Sequence, residues 1–378
     1  MEITFKELEA LAPENVLLLD MRSEESRRYG TIPGAKGIEA FITTEELIDQ
    51  IPQEERGKKI VIFCARGQYS LDAAIALCEA GYDAASLQSG YYAWLGEQMK
   101  RQQASDLQQQ VEESIRKRFR RRIWSNFTRA IREYELVKEG DRIAVCISGG
   151  KDSMLLAECM CHLKKYSDFH FDVEYIVMDP GYVGDNRAKI IENAEIMKLP
   201  IKIFDSPIFE TVYAAEGGSP CYLCARMRRG YLYKFAQELG CNKIALGHHF
   251  DDAIETTLMS MLYGAEIKTM MPKLKSTNYE GMELIRPLYM VREKDIISWA
   301  SYNGLEFIRC ACKVTQANAE AENGSKRQEV KNLIKKLKAE NDNVDMNIFK
   351  SIHNVNLATV IGYRECDGGE LHMFTEGY

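Results

Sequence analysis

Residues Arg142 to Lys165 constrain the fold more than any other stretch. Arg142-Ile143-Ala144-Val145-Cys146-Ile147 is apolar and β-branched enough for a buried strand, and Met154 to Lys165 carries apolar residues at helical spacing. Ser148-Gly149-Gly150-Lys151-Asp152-Ser153 joins the two, so a glycine pair and a lysine sit where a strand becomes a helix. At such a turn free backbone N–H groups and the positive end of the helix dipole converge on one point. Glycine lets the backbone close on an anion, and Lys151 adds a point charge. The spacing is not that of a Walker A loop, which needs four residues between its first Gly and its Gly-Lys. The plain alternative is an ordinary strand-to-helix turn, which does not require the full hexapeptide.

Strand and helix patterns alternate from Glu139 onward. Strands are expected over Asp172 to Met178, Ile201 to Phe204 and Cys241 to Leu246, and helices over Asn186 to Lys198 and Ala253 to Tyr263. This predicts a doubly wound parallel sheet with ligands at the carboxyl ends of its strands. Met178-Asp179 and Gly247-His248-His249-Phe250-Asp251-Asp252 fall at such ends, together with the hexapeptide. Asp251 and Asp252 are candidates for Mg²⁺ or nucleotide contact, because Mg²⁺ needs oxygen ligands. Capping of the next helix is the alternative for one of them.

The 378 residues suggest two or three domains, and the net charge of -7 requires any nucleic-acid surface to be local. No apolar run approaches the roughly 18 residues of a membrane span, and the acidic, amphipathic Met1 to Ala10 does not read as a signal peptide. Eleven cysteines without a small-secreted-domain pattern point to a reducing cytoplasm and to redox, sulfur or metal chemistry.

Residues 1–98 read as a small α/β unit, with strands over Asn15 to Asp20 and Lys59 to Phe63. The loop Cys64-Ala65-Arg66-Gly67-Gln68-Tyr69-Ser70 precedes a helix over Leu71 to Ala80. A thiol facing converging amides at a helix start favours thiolate; a buried structural cysteine is the alternative. Residues 99–137 form a helical connector whose Arg116, Lys117, Arg118, Arg120, Arg121, Arg122, Arg129 and Arg132 lie beside an apolar stripe of Phe119, Ile123, Trp124, Phe127 and Ile131. Against an acidic whole this reads as a grip on phosphate backbone, the alternative being a solvated helix face. Residues 138–326 hold the doubly wound domain. In residues 327–378 a basic amphipathic helix is expected over Val330 to Lys338, a second helix over Asn347 to Ile361, and a loop or frayed tail with an incidental Cys366.

Pro220-Cys221-Tyr222-Leu223-Cys224 places two thiols at a helix start, and Cys310-Ala311-Cys312 follows much later. A zinc knuckle, a redox dithiol and an iron–sulfur cluster all fit this spacing.

Two families are resembled. Asp20-Met21-Arg22, Thr31-Ile32-Pro33-Gly34-Ala35 and the cysteine-led loop resemble the rhodanese family, which implies a persulfide on Cys64. Residues 118–316 resemble the tRNA 2-thiocytidine synthetase branch of the ATP-pyrophosphatase superfamily. The matches are Glu139-Gly140-Asp141-Arg142, the hexapeptide, Cys221-x-x-Cys224 with Arg226-Met227-Arg228-Arg229-Gly230, and Leu246-Gly247-His248-His249-x-Asp251-Asp252. Met271-Pro272-Lys273-Leu274, Arg286-Pro287-Leu288 and Arg292-Glu293-Lys294-Asp295 complete them.

That resemblance implies an ATP-dependent tRNA sulfurtransferase that adenylates a base carbonyl. It implies a nucleotide site of Ser148, Gly149, Gly150, Lys151, Asp152, Ser153, Met178, Asp179, Gly247, His248 and Asp251, with Lys151, Asp152 and Asp252 catalytic and the rhodanese resemblance adding Cys64 as the catalytic sulfur carrier. It further implies ATP, Mg²⁺ and a [4Fe-4S] cluster on Cys221, Cys224 and Cys310. Gln316 matches the family's glutamine, and Cys312 is a spare thiol, an alternative ligand or a sulfur relay. Expected partners are tRNA and a cysteine desulfurase or other persulfide donor, and homodimers are usual in the family. Two other functions compete: thiolation of another tRNA position, such as a uridine, or of a small molecule, and a zinc-stabilised nucleotide-binding RNA module without turnover.

Overall fold

A computed structural model of the chain describes residues 1–39, 41, 43–182, 184–209, 220–308, 326–365 and 369–373, without the side chains of 220–223 and 225. The chain divides into two compact units, Met1–Asp106 and Leu107–Tyr378.

The first unit contains β1 (Glu2–Ile3), α1 (Phe5–Glu9), β2 (Val16–Asp20), α2 (Glu24–Arg28), β3 (Lys36–Gly37), α3 (Thr44–Asp49), β4 (Lys59–Phe63), α4 (Gln68–Glu79) and β5 (Ala84–Leu87). Its sheet is wholly parallel, in the order β1-β5-β4-β2-β3. Ile60 to Phe63 are buried, as expected of a central parallel strand covered on both faces. Strand β4 ends where Cys64 begins.

Helix α5 (Gly90–Arg116) carries the chain into the second unit, and a π-turn over Arg120–Trp124 leads to α6 (Ser125–Glu133). The stripe read from the sequence is real: Phe119, Ile123, Phe127 and Ile131 enter the main core, while the arginines between them stay exposed. There follow β6 (Arg142–Ile147), α7 (Lys151–Tyr166), β7 (Asp172–Asp179), α8 (Asn186–Ile196), β8 (Ile201–Asp205), α9 (Pro220–Glu238), β9 (Lys243–Ala245) and α10 (Phe250–Gly264). Next come β10 (Lys273–Lys275), β11 (Glu283–Ile285), α11 (Glu293–Tyr302), α12 (Lys326–Glu340) and α13 (Val344–Ser351).

The sheet runs β10-β11-β9-β6-β7-β8, parallel except for the antiparallel edge strand β10. The chain steps from β6 through β7 to β8, then crosses back to place β9 on the other side of β6. The order therefore reverses between β6 and β9, the place where doubly wound sheets hold ligands. Ser148 follows one of these strands and Gly247 lies just beyond the other.

The C-terminal reading needs correction. The helix expected over Asn347 to Ile361 is α13, which stops at Ser351. A single 3-10 turn over Leu357–Thr359 follows, capped by the Asn356 side chain. Where a frayed tail was expected, β12 (Gly362–Tyr363) and β13 (His372–Met373) pair as an antiparallel ladder. Asparagines at 354 and 356 favour turns over helix continuation, which explains the early stop. Cys366 lies outside the described residues. No described helix is long and apolar enough to cross a membrane.

Candidate functional site

In the second unit the loop after β6 closes through its serines. The Ser148 amide and hydroxyl both lie 3.1 Å from Ser153 Oγ, which donates to the Gly150 carbonyl at 2.9 Å. Gly149 takes φ +81, and a Cβ there would meet Ile190 Cγ1 at 2.5 Å. Gly150 caps α7 without a side-chain hydrogen bond, so the helix start is left for a ligand. Gly247 has a different reason to be glycine. A Cβ on it would stand 3.0 Å from the Asp152 carbonyl carbon and the Ser153 nitrogen, so the β9 loop lies directly on the start of α7.

These contacts shape a cleft of about 440 Å³. Seven residues singled out from the sequence line it: Ser148, Asp152, Ser153, Met178, Gly247, His248 and Asp252. Gly149, Gly150, Lys151, Asp179 and Asp251 are not among the lining residues. Asp179 accepts from the Gly181 and Tyr182 amides at 2.9 and 2.8 Å and pairs with Arg187 at 3.0 Å, which fixes the turn that brings Tyr182 to the cleft. Asp251 accepts from the Glu293 amide at 2.7 Å.

His249, not an aspartate, caps α10. Its ring accepts from the Asp252 amide, and Asp252 accepts the His249 amide at 2.9 Å. The two histidines thus part company, His249 capping and His248 lining the cleft. Burial, with the Arg286 guanidinium beside it, pushes the His248 imidazole down to about 4, so the ring is neutral at pH 7.

The Lys151 ammonium lies 3.1 Å from Asp152 and 3.2 Å from Glu293. Burial works against its charge, but these two carboxylates together hold its pKa above the ordinary lysine value. Lys331 reaches the same Glu293 at 2.7 Å, and Arg327 pairs with Asp252 and, at 2.8 Å, with Glu255. Asp152 lines the cleft, and its Oδ1 is buried without a hydrogen-bond partner among the described residues, 3.8 Å from the His249 ring; carboxylate oxygens suit a hard cation.

Cys224, on α9, packs against the small apolar cluster of Met178, Ile208 and Phe209, so its half-buried thiol stands beside the cleft wall. Cys221 is the second residue of α9, and its side chain lies outside the described residues, as do Cys310, Cys312 and Gln316. A thiol in an apolar shell suits a soft metal or an iron–sulfur cluster.

In the first unit Cys64 is 6% exposed. The Gly67 amide donates to its sulfur at 3.2 Å and the Ser70 hydroxyl at 3.5 Å. Burial alone would raise the thiol's pKa, but Ser70 and the amides of Ser70, Arg66 and Gly67 together hold it below the ordinary cysteine value. Gly90, at φ +65, presses on the same loop, where a Cβ would meet the Cys64 carbonyl at 2.5 Å. The Asp-x-Arg and Ile-Pro-Gly-Ala motifs brace this arrangement. Asp20 accepts from Arg22 at 2.7 Å and from the Thr31 hydroxyl at 2.6 Å, and the Arg22 guanidinium covers the Tyr91 ring, whose amide donates to the Cys64 carbonyl at 2.9 Å.

Comparison with known proteins identifies both domains. A PP-loop domain model matches residues 118–316, and a rhodanese-like domain model matches residues 4–97. A tRNA-cytidine(32) 2-sulfurtransferase of Vibrio parahaemolyticus is 36% identical over 240 residues, 63% of this chain and 78% of the relative. This chain belongs to the PP-loop family, in the branch that holds such sulfurtransferases. A protein of the same name from Coxiella burnetii is 34% identical over 259 residues, 68% of this chain and 98% of the relative. Among solved structures, the U34-tRNA thiolase NcsA from Methanococcus maripaludis, described with its [4Fe-4S] cluster, shares the fold. Its TM-score is 0.50 at 21% identity, covering 64% of this chain and 80% of that one.

Sequence reading missed several residues of this PP-loop site. Tyr182, Arg228 and Arg229 line the cleft, and Arg327 and Lys331 reach its acidic rim from α12. Arg228 and Arg229 belong to a quoted motif but were given no role. The basic pattern of α12 was visible, but not the cluster it would meet.

Proposed function

We propose that this chain is an ATP-dependent tRNA sulfurtransferase that replaces the carbonyl oxygen of a cytidine by sulfur, forming 2-thiocytidine. The observation that carries the reading is the cleft lined by the α7 loop, one of whose wall residues, Met178, belongs to the apolar cluster on which Cys224 packs. The names of relatives such as those of Vibrio and Coxiella support the choice of base.

In this reading the amides at the start of α7, with Ser148 and Ser153, hold the phosphates of ATP. The base oxygen attacks the α-phosphorus, the bond to pyrophosphate breaks, and Lys151 stabilises the charge that develops on the leaving group. The base now carries AMP, a good leaving group, on C2. The terminal sulfur of a persulfide attacks C2 and the C–O bond to AMP breaks. A second thiol, serving as the two-electron reductant, then attacks the inner sulfur, the S–S bond breaks with formation of a disulfide, and the sulfur left on C2 is the thiocarbonyl. Asp152 and Asp252 would hold Mg²⁺ against the phosphates, with Asp152 Oδ1 in support. Cys221, Cys224 and Cys310 would hold a [4Fe-4S] cluster, which when bound would supply an iron site for sulfur. Cys64 loads sulfur from a persulfide donor: its thiolate attacks the terminal sulfur, an Sγ–S bond forms, and the donor's S–S bond breaks to leave a thiolate. Fusion of carrier and enzyme raises the effective concentration of that sulfur. A cytoplasmic location, a cysteine desulfurase as donor and a homodimer complete the proposal.

The test is deletion of the gene followed by digestion of bulk tRNA to nucleosides. Loss of 2-thiocytidine, restored by the wild-type gene and not by a Cys64→Ala copy, is expected. Unchanged 2-thiocytidine with loss of a thiouridine would move the assignment to another base. A purified chain with stoichiometric zinc, no iron and no acid-labile sulfide would remove the cluster from the mechanism.

A further inference from the structure

Beside the nucleotide cleft lies a second, larger groove of about 680 Å³, between α9 and the β10–β11 hairpin. Arg226, Arg229 and Lys275 line it, with Tyr233 and Tyr279 as an aromatic wall. The three cations are exposed, and none forms an ion pair among the described residues. Among the described residues no carboxylate lines the groove, although the chain as a whole carries a net charge of -7.

Another basic groove of the unit differs. There Arg116, Lys117 and Arg120 share about 550 Å³ with Glu112 and Glu113, and Lys117 pairs with Glu113 at 2.6 Å. Its positive charge is partly spent within the protein.

Two further observations say what the second groove takes. Tyr279 stacks on the buried Tyr233 with ring centroids 4.8 Å apart and planes 7° from parallel, and its hydroxyl is fixed on the Gly230 carbonyl at 3.1 Å. A held aromatic ring beside unpaired cations suits stacking bases and a phosphate chain rather than an acidic peptide. Arg229 also lines the nucleotide cleft, so the two cavities meet at its side chain. A strand lying in the groove can pass one base into the cleft, and a base edge can be modified only when it is out of its stack.

We infer that this groove binds single-stranded RNA, the nucleotides flanking the base to be modified, with Arg226 and Lys275 on phosphates and Tyr279 against a base. The inference rests on the tRNA reading above and adds where the strand lies. The arginine-rich face of α5 and α6 would then grip the more distant backbone.

The test uses the full chain and an unmodified tRNA carrying cytidine at position 32. Arg226→Ala with Lys275→Ala should raise the KM for tRNA about tenfold or more, leave kcat within about twofold and leave ATP affinity unchanged. Each lost single-strand phosphate contact removes roughly 0.7 from the slope of log affinity against log salt, so the double variant should lose about 1.4. Arg226→Lys should keep most of the slope, because charge suffices for a phosphate contact. Tyr279→Leu should weaken RNA binding without changing the slope. Should the double variant fail to fold, the single Arg226→Gln and Lys275→Gln variants should each lose about 0.7 of the slope.

If wild-type enzyme thiolates tRNA while both variants keep its KM and salt slope, the groove assignment falls and the function stands. If RNA binding is untouched but sulfur loading from a protein persulfide declines, the groove is a protein-docking face and the inference is overturned. If the wild-type chain neither binds nor thiolates any tRNA, the functional reading falls and takes the groove with it.

Discussion

The Lys151 ammonium stands 3.2 Å from the Glu293 carboxylate, which Lys331 meets from α12 at 2.7 Å. A residue 142 positions away therefore aims the lysine of the phosphate loop. Replacing Lys151 by Ala should cut ATP-pyrophosphate cleavage by about 10²–10³-fold, the usual loss for one preorganised charge at a reacting phosphate. Glu293→Gln keeps the lysine and loses only its anchor, so a milder loss of about tenfold in kcat is expected, roughly one charged hydrogen bond. Pyrophosphate release by the purified enzyme separates the two, and equal losses would mean that Glu293 does more than position Lys151.

Gly149 and Gly247 should fail differently when a methyl is added. At Gly149 the new Cβ meets side chains, Ile190 at 2.5 Å and Ile308 at 2.8 Å, on a backbone of φ +81 that costs roughly 1–2 kcal/mol for an L-residue. Trimming Ile190 to Ala should restore part of the ATP affinity lost in Gly149→Ala. At Gly247 the new Cβ meets backbone of Asp152 and Ser153 at 3.0 Å, which no side-chain change can relieve. Gly247→Ala should raise the Kd for ATP at least tenfold with or without a companion substitution, as isothermal titration would read.

These two glycines also mark what could be read in advance. The strand Arg142 to Ile147, the loop and the helix after it are local patterns, and the apolar stripe Phe119, Ile123, Phe127 and Ile131 repeats at helical spacing, so both are legible in one sequence. The ion pairs of Arg327 and Lys331 with Asp252, Glu255 and Glu293 span 38 to 76 positions or so and leave no local signature. Strands β10 and β11 are three residues each, too short for alternation to show. The π-turn at Arg120–Trp124 shifts which arginines share a face, and nothing in the charge run announces it.

Cys64 should react as thiolate at lower pH than an ordinary cysteine. Its alkylation rate against pH should have a midpoint below that of a free thiol, since the Ser70 hydroxyl and three amides outweigh the cost of burial. Ser70→Ala removes one hydrogen bond of about 1 kcal/mol, so the rate at pH 7 should drop about fivefold and the midpoint should rise. Mass spectrometry of the alkylated Cys64 peptide reads both. An unmoved midpoint would leave the amides alone responsible for the thiolate.

The contacts that fasten the C-terminal helices should give way in acid. Burial works against the charge on Asp345, but Arg292 at 2.6 Å and Lys338 hold its carboxyl down at about 2 from an ordinary 3.8. Burial likewise opposes the charge on Glu293, and Lys331 and Lys151 hold that carboxyl at about 2 from an ordinary 4.5. Both groups bind protons more readily when unfolded than when folded. The stability they contribute is complete above the unfolded values and disappears as pH falls from about 4.5 towards 2. Hydrogen exchange across 326–351 should therefore rise through that window. Asp345→Asn leaves Arg292 and Lys338 without their shared carboxylate and should cost about 3 kcal/mol at pH 7. With Glu293→Gln added, the dependence of unfolding free energy on pH between 4.5 and 2 should flatten. If the double variant keeps the wild-type slope, other carboxylates carry the acid sensitivity and these two pairs are not the fastening.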